Sequence, residues 1–567
     1  MTLRPRYSWI WAVATVLLFV GPVRAQEPLR GEGLPEEVAA DVLAFVNDPG
    51  TLRFEGDGLI PRGQVIQGNV ALVGGLLTVA GEVQGSLVIL NGDLVLGDSA
   101  RIGGDALIIG GDLEEGDPGR VQGLISIYER GYPVIRRDGE VLPRPDRRQE
   151  RPGLYIGDNA RITVRGGNGY NRVEGLPILI GPVFRAPGDH PLELDALAIF
   201  RTESGFSFDD LGYTLRLEQG FGSAPRWSIG AAASSEILSI EGRGISDLES
   251  SLSTFLLHRD ERDYFSREGW SVSLNVEGES TPIRGRLTYR DEKHYSVSPG
   301  GPWTLFRNDD DWRPLPLVAE GGFTAVEGEL EVDRRNDPED PTDGWYLNAA
   351  LTRGLDGDLF LRAWRETGGT ELVGPTPVND DWLVGTMDLR RYARIDPDSD
   401  LRFRLLLRGG LRSDELPPQF QSALGGIGSL PGYSRFALDC GARDVPVEVP
   451  TGADDARPTY RRYGCDRTAL FQMEFREELD WKLDLSPDDE EEWEEWHWYP
   501  RVDLTAAFVA FMDVGRGWSY APDGRNSDTL ADLGLGFFVG KVGLYLALPL
   551  TGEERDVRFF VRLQHRF

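Results

Sequence analysis

The sequence predicts an all-β protein: a transmembrane antiparallel β-barrel of about 16 strands, preceded by a short β-solenoid. Residues 154–567 contain repeated segments of about 10 residues, such as LELDALAIF and WSVSLNVEGE, in which apolar and polar positions alternate. Earlier in the chain, Gly68, Gly85, Gly104 and Gly123 recur at spacings of 17, 19 and 19 residues between short apolar strands. The 70 glycines and 25 phenylalanines suit such a glycine- and aromatic-rich β protein.

The N-terminus has the pattern of an export signal. Arg4 and Arg6 precede an apolar run over 9–20, and the small residues of GPVRA end at Ala25. The run is shorter than the about 20 residues that a membrane-spanning helix needs. We therefore predict a signal peptide over 1–25, the alternative being an uncleaved anchor.

Composition excludes several classes of function. The chain has 60 basic and 92 acidic residues, a net charge of −32, which excludes nucleic acid as a partner.

There is no GxSxG, no HExxH and no cysteine pair at metal-ligand spacing, so we expect no enzyme, no metal and no cofactor. His294 with Ser296 resembles part of a hydrolase site, but no third member accompanies them. The five histidines are His190, His258, His294, His497 and His565.

Before the barrel, the chain divides into a helical lead-in (26–58), the solenoid (59–128) and a charged linker (129–153). Val38, Val42, Phe45 and Val46 are at helical spacing and predict one short amphipathic helix. The glycine-marked repeats resemble the bactofilin-like, polymer-forming solenoids, in which each coil buries its inner face only by stacking on the next. The alternative is a plain β-sandwich. We expect the solenoid in the periplasm, where it has a possible envelope partner.

The last segment, DVRFFVRLQHRF, alternates strictly. One face holds Phe559, Val561, Leu563, His565 and Phe567, and the other holds the arginines. Charges on the lipid face cost several kcal/mol at mid-bilayer, so the arginines must face inward. The segment resembles the C-terminal targeting strand of bacterial outer-membrane barrels, which implies lipid and the cell's barrel-assembly machinery as partners. A soluble β-sandwich is the alternative.

The spacing of connections predicts which end of each strand faces which side of the membrane. Short turns and long connections alternate along the chain, which predicts an even number of strands with both ends in the periplasm. The long connections are 241–268, 298–322, 356–381 and 414–466. Cys440 and Cys465 lie in the last of them and predict a disulfide, the alternative being two free buried thiols.

Several motifs together resemble the bacterial surface antigen family, the outer-membrane insertase superfamily of BamA and TamA. They cover roughly residues 320–567 and read RRNDPEDPTDGWYLNAAL (334–351), LGGIGSLPGY (424–433), QMEFREEL (472–479), FMDVGRGW (511–518) and GLGFFVGKVGLYLALPL (534–550). The resemblance implies that the connection around LGGIGSLPGY folds back into the barrel. There an Arg-Gly-Tyr/Phe turn would present its arginine to carboxylates on the inner wall.

The matching acids, Glu474 and Asp513, are present, but Pro431 occupies the arginine's position. Arg435 is the nearest cation, and we predict that it pairs with Asp513 or Glu474, because a buried acid needs a partner. The alternative is a loop that packs through its backbone and tyrosine alone. The turn itself comprises Gly425, Gly426, Pro431, Gly432 and Tyr433.

Two further segments predict local structure. Ser246 to Glu249 (SDLE) forms a capping box that begins a helix in a long connection, either an outer lid or an ordinary loop helix. The run 486–500 carries Trp493, Trp496 and Trp498, which would anchor at the membrane interface or dock a partner.

Three functions remain as hypotheses. The resemblance implies insertion or translocation of proteins or lipids at the outer membrane, although a solenoid stands where that family carries periplasmic POTRA domains. A structural envelope anchor and a passive, cation-preferring pore are the alternatives.

Overall fold

The computed structural model describes the chain with several gaps, and it divides into two compact units. The predicted signal peptide and the tryptophan-containing run 486–500 lie outside the described residues. Among the residues that the structure describes, no helix has both the length and the hydropathy to cross a bilayer. The described residues are 29–31, 34, 36–128, 131–132, 134–137, 140–143, 153–157, 159–186, 190–205, 207, 210–222, 226–242, 244–278, 283–335, 341–396, 399–450, 456–483, 504–540 and 542–567.

The described residues of the first unit form one α-helix, α1 (Glu36–Asn47), and thirteen short strands. They are β1 (Leu29–Gly31), β2 (Leu52–Glu55), β3 (Gly58–Ile60), β4 (Val65–Ile66), β5 (Val70–Val79), β6 (Glu82–Val83), β7 (Leu87–Leu96), β8 (Arg101–Ile102), β9 (Ala106–Ile109), β10 (Leu113–Glu115), β11 (Ile125–Tyr128), β12 (Val134–Arg137) and β13 (Glu140–Pro143).

Parallel stacking of these strands confirms the predicted solenoid. One sheet runs in the order β1-β11-β9-β7-β5-β2 and a smaller one in the order β4-β6-β8. Its interior is aliphatic, and the predicted helix, α1, covers an outer face by packing Val42 and Val46 near Val73 and Leu90.

The recurring glycines lie directly above one another. Gly85 N donates to Gly68 O at 3.3 Å, Gly104 N to Gly85 O at 3.0 Å and Gly123 N to Gly104 O at 3.1 Å. A Cβ added at Gly85 would lie 2.7 Å from the Gly68 carbonyl carbon. At Gly85, Gly104 and Gly123 the coils therefore approach too closely for a side chain, since an added Cβ would lie 2.2–2.5 Å from the nearest atom.

The second unit is built on one antiparallel sheet of 17 strands in sequence order. The first strand, β14, has only five residues, and the other sixteen agree with the predicted count. The sheet strands are β14 (Gly153–Gly157), β15 (Ala160–Gly166), β16 (Pro177–Ala186), β17 (Leu192–Arg201), β18 (Gly212–Phe221), β19 (Arg226–Ser239), β20 (Tyr264–Glu277), β21 (Ile283–Ser296), β22 (Gly321–Arg335), β23 (Gly344–Gly357), β27 (Leu383–Asp396), β28 (Ser399–Gly410), β31 (Arg467–Leu483), β32 (Leu504–Trp518), β33 (Leu530–Val539), β34 (Val542–Pro549) and β35 (Arg558–Arg562).

The long connections of this unit carry the remaining elements. They are helix α2 (Asp247–Leu257) and the short strands β24 (Phe360–Leu361), β25 (Arg365–Glu366), β26 (Thr376–Pro377), β29 (Pro446–Pro450) and β30 (Ala456–Tyr460). The strand bounds place the long connections, 240–263, 297–320, 358–382 and 411–466, at one edge of the sheet, as the alternation of short and long connections predicts.

The sheet has an apolar outer face. In β34, for example, Leu546 is 52% exposed whereas its neighbour Ala547 is 0% exposed. Exposed large apolar side chains recur along most of the other strands, which is the surface that a bilayer requires and water does not favour. Among them are Leu194, Leu215, Leu217, Ile229, Trp270, Val272, Leu274, Leu287, Leu330, Leu351, Phe471, Phe508, Leu533, Leu535, Leu544 and Phe559.

The sheet curls so that its early and late strands face a common interior. Helix α2 comes after β19, yet its Glu249 Oε1 accepts a hydrogen bond from Arg562 Nε of β35 at 2.8 Å. Because these strands are far apart in the sheet order, the contact requires curvature into a barrel, as predicted.

The last strand is shorter than its sequence pattern predicts. Phe559 is 64% exposed and faces outward as expected, as does Val561, but β35 ends at Arg562. Beyond that point the predicted outward placement of His565 is wrong, because its ring stacks on that of the buried Phe538 at 4.9 Å. Leu563 and Phe567 are half-buried. The chain turns inward because its arginines find acids inside the barrel.

The glycine stack makes a direct prediction for the solenoid. Gly85→Ala forces a Cβ against the backbone below and should destabilise the coils by about 1–3 kcal/mol. Hydrogen–deuterium exchange of peptides from β7 in the full-length protein measures this effect.

Gly68→Ala is the matched control for Gly85→Ala. It occupies the same point of the first repeat, where the nearest atom to an added Cβ is Gly50 O at 3.3 Å. Equal protection of β7 in both variants would show that the corner has room for a side chain.

Candidate functional site

The connection 411–466, hereafter the lumen loop, folds back into the barrel as the sequence predicts. Its Ser429 O accepts a hydrogen bond from Gln472 Nε2 of β31 at 3.1 Å. The predicted disulfide between Cys440 and Cys465 is present in the structure. Both half-cystines belong to a buried apolar cluster with Leu424, Leu430, Tyr433, Leu438, Leu470 and Leu530.

The predicted glycine turn shapes the tip of this loop. Gly425 and Gly426 have φ values of +123° and +80°, which side chains rarely tolerate. The turn closes through Gly426 N, which donates to Leu430 O at 3.1 Å, and Gly425 N, which donates to Ser429 Oγ at 2.8 Å. Leu430 and the adjacent Pro431 are buried as a result.

After the proline, the chain binds the wall through its backbone. Gly432 N donates to Asp532 Oδ2 of β33 at 2.7 Å, and a Cβ on Gly432 would lie 2.7 Å from the Asp532 Cβ. Asp532 is fully buried. Sequence reasoning missed this acid, although its inward position follows from the alternation in ADLGLGFF.

Tyr433 fixes the loop to the rim of the barrel. Its hydroxyl lies 2.7 Å from Ala531 O and 2.8 Å from Thr551 O, and it accepts a hydrogen bond from Thr551 N at 3.2 Å. The ring is buried in the apolar cluster. The alternative prediction, in which the loop packs through its backbone and Tyr433, therefore describes these contacts.

Arg435 does not make the predicted ion pair. Its Nη1 lies 3.2 Å from Glu261 Oε2, and it also donates to the carbonyl of Asp260, both in the connection that carries α2. Burial, with a smaller contribution from Arg313, lowers the pKa of Arg435 to about 10, so the side chain stays protonated at neutral pH.

The cation beside the two wall acids is Arg566, from the C-terminal segment. Arg566 Nη2 donates to Asp513 Oδ2, and Nη1 lies 3.7 Å from Glu474 Oε2. Its guanidinium also lies 3.8 Å from the centre of the Phe511 ring. The acids are buried and require a cation. The inward position of Arg566 in the alternating terminal segment was the sequence signal that pointed to it.

A second buried cluster joins three long connections. Asp263, at the end of the connection that carries α2, lies 2.5 Å from Arg172, 2.6 Å from Arg313 and 2.8 Å from Arg443. Burial opposes ionisation of Asp263, but the three arginines outweigh it and hold the pKa of this carboxyl well below its usual value. Sequence reasoning missed this cluster, since its members are far apart in the chain.

The lumen loop and the wall line a small cavity. A cavity there has a volume of about 60 Å³ and is lined by Glu241, Arg404, Arg408 and Tyr463, among others. That volume holds a few water molecules. A separate cleft of about 680 Å³ lies among the long connections, between residues 296–317 and 449–459.

His294 and Ser296 have different hydrogen-bond partners. It is buried, with Nε2 3.2 Å from Glu292 Oε2 and Nδ1 3.2 Å from Gln419 Nε2. Ser296 Oγ instead accepts a hydrogen bond from Val318 N at 3.1 Å. Within the described ranges, no group of three or more His, Cys, Asp or Glu residues has metal-binding geometry.

Comparison with known proteins gives similarities of low strength. No family model and no curated protein matches the sequence. BamA from Haemophilus ducreyi lacking POTRA domains 1–3 has a TM-score of 0.40 at 12% identity, over 76% of this chain and 80% of that one. CdiB from Escherichia coli gives 0.35 at 14% identity, over 76% and 67%. The siderophore receptor PirA from Acinetobacter baumannii gives 0.29 at 8%, over 71% and 59%. Similarity at this level assigns no family to the chain.

The role of Arg566 can be tested by removing its charge. Arg566→Ala leaves Asp513 and Glu474 buried without a cation and should destabilise the barrel by about 3–5 kcal/mol. The readout is the temperature at which the folded, fast-migrating band disappears in heat-modifiability gels. Gln564→Ala, an exposed residue of the same segment, is the control. Equal midpoints for the two variants would refute the assignment.

The attachment of the lumen loop can be tested separately. Tyr433→Phe removes the hydroxyl that bonds Ala531 and Thr551 and should destabilise the loop's attachment by about 1–3 kcal/mol. Limited proteolysis within the lumen loop should accelerate, whereas the exposed Tyr295→Phe should behave as wild type. Unchanged proteolysis of Tyr433→Phe would mean that apolar packing alone holds the loop.

Proposed function

We propose that this protein assists the insertion or translocation of proteins or lipids at the bacterial outer membrane, acting at the seam between its first and last barrel strands. The observation that carries the proposal is the incomplete backbone pairing of β35, the last strand. Within the described residues, no backbone ladder joins β35 to β14 or β15, and β35 itself has only five residues.

An incompletely paired edge has a physical consequence in a bilayer. Backbone N–H and C=O groups have no water to bond in the hydrocarbon region, so an unpaired edge is costly there. An added strand relieves that cost through main-chain hydrogen bonds, whatever its sequence. The seam is therefore the part of the barrel best suited to engage a client.

The pairing of inward acids disfavours the passive pore. A cation-preferring pore needs a lumen lined by unpaired acids, whereas here the lumen loop folds into the barrel and the inward acids Asp513 and Glu474 lie beside Arg566. A cavity of about 60 Å³ lies between the loop and the wall.

A structural envelope anchor is the second candidate, and the parallel-stranded solenoid favours it. In that function the solenoid lies in the periplasm and binds an envelope component, while the barrel holds it to the outer membrane. The exposed Phe559 and Val561 of β35 support the partners proposed for the barrel itself, lipid and the assembly machinery that reads a C-terminal strand.

The test is the folding rate of a small outer-membrane barrel into liposomes that contain this protein. Insertase activity should accelerate folding about tenfold or more, a lowering of the barrier by about 1.4 kcal/mol. Liposomes with a passive barrel at the same protein-to-lipid ratio control for bilayer defects.

Other outcomes discriminate the alternatives. No acceleration by the folded protein, together with binding of isolated cell-wall material, would establish the anchor instead. Steady ion conductance in planar bilayers would establish the pore.

A further inference from the structure

Helix α2 contacts the first connection of the barrel on one side. Tyr170 N donates to Ser251 Oγ at 2.9 Å, and the Tyr170 and Phe255 rings meet edge-on at 5.4 Å. The approach is close enough that a Cβ on Gly169 would lie 2.2 Å from Ser251 Oγ. The connection 167–176 joins β15 to β16, so α2 is held against the start of the sheet.

On its other side α2 holds the end of the sheet. Glu249 is 7% exposed, and its Oε1 accepts Arg562 Nε at 2.8 Å and Leu563 N at 2.7 Å. Leu563 is the residue directly after β35. A backbone amide needs an acceptor, and here the carboxylate of Glu249 supplies it at the point where the ladder of β35 ends.

The same carboxylate also begins the helix. Glu249 Oε2 accepts Ser246 N at 3.0 Å while Ser246 Oγ accepts Glu249 N at 3.2 Å, which completes the predicted capping box. One side chain therefore links helix formation to the position of the last strand. Burial opposes its ionisation, but Arg562 and these hydrogen bonds outweigh burial and lower the pKa of Glu249.

We propose that α2 is a releasable clasp across the barrel seam, with Glu249 as the residue that holds the end of β35 in place of a neighbouring strand. The contacts of α2 with Arg562 and Leu563 given above are hydrogen bonds of one carboxylate. They exchange with water or another acceptor far more readily than a strand ladder in lipid does. Release of Glu249 frees the Leu563 amide for a client strand or for closure of the sheet.

Hydrogen–deuterium exchange of residues 558–567 in the full-length protein in nanodiscs tests the clasp. Glu249→Gln keeps a side chain suited to the capping box but removes the charge that holds Arg562, so exchange in this segment should rise about tenfold or more. Asp247→Asn is the matched control, because Asp247 lies in the same helical turn but pairs with Arg262 at 2.6 Å.

Arg562→Gln removes the charge on the strand side of the same contact. It is the variant to measure if Glu249→Gln does not fold. It should give the same rise, and the double variant should exchange no faster than either single one. Wild-type exchange in either single variant, or an equal rise in Asp247→Asn, overturns the clasp. This experiment measures amide exchange in residues 558–567, whereas the proposed function is tested by the folding rate of a client barrel. Either proposal can therefore fail while the other holds.

Discussion

Neutralisation of buried charge is the constraint on which the rest of the barrel depends. Charged side chains cannot face lipid, so the alternating strands send them inward. Where the long connections pack against the wall and against one another, charges of the strands and of the connections become buried, and a buried charge without a partner destabilises strongly. Asp263 lies among three arginines, Asp513 beside Arg566, and Glu249 beside Arg562. The ion pairs thereby determine which connection lies against which strand.

The segment of the chain that supplies the arginine of an ion pair is the segment that the pair holds against the barrel wall. The predicted pairing of Arg435 with Asp513 or Glu474 would attach the lumen loop to the wall acids. Here Arg566 supplies that charge, so the acid holds the C-terminal segment instead, and the loop depends on Gly432 N, Asp532 and the Tyr433 hydroxyl. The charge of Asp513 is neutralised in either case, but in this structure the ion pair holds the C-terminal segment and not the lumen loop.

Patterns that depend on neighbours in the sequence predicted the structure well. The period of the glycines gave the solenoid, alternation gave the strands and their inward faces, and SDLE gave the capping box of α2. Partners across the interior could not be predicted in this way, because they depend on how the sheet curls and where each connection enters. Arg435 is the cation nearest in sequence to the turn, whereas the cation that lies beside Asp513 and Glu474 in space is Arg566. Likewise, alternation alone gave no sign that the chain leaves the sheet after Arg562.

We expect the end of the sheet at β35 to be its weakest part, because the hydrogen bonds that hold the segment after β35 lie on the lumen side and not in hydrocarbon. Strands such as β22 and β32 have 15 residues and bond to neighbours on both sides, and breaking those ladders in hydrocarbon leaves polar groups without partners. β35 has five residues, and carboxylates hold the C-terminal segment after it from the lumen. Carboxylate contacts on the lumen side can be replaced by water or by another acceptor. A barrel that is rigid around most of its circumference and held by side chains at its seam can therefore change shape at that one place without unfolding elsewhere.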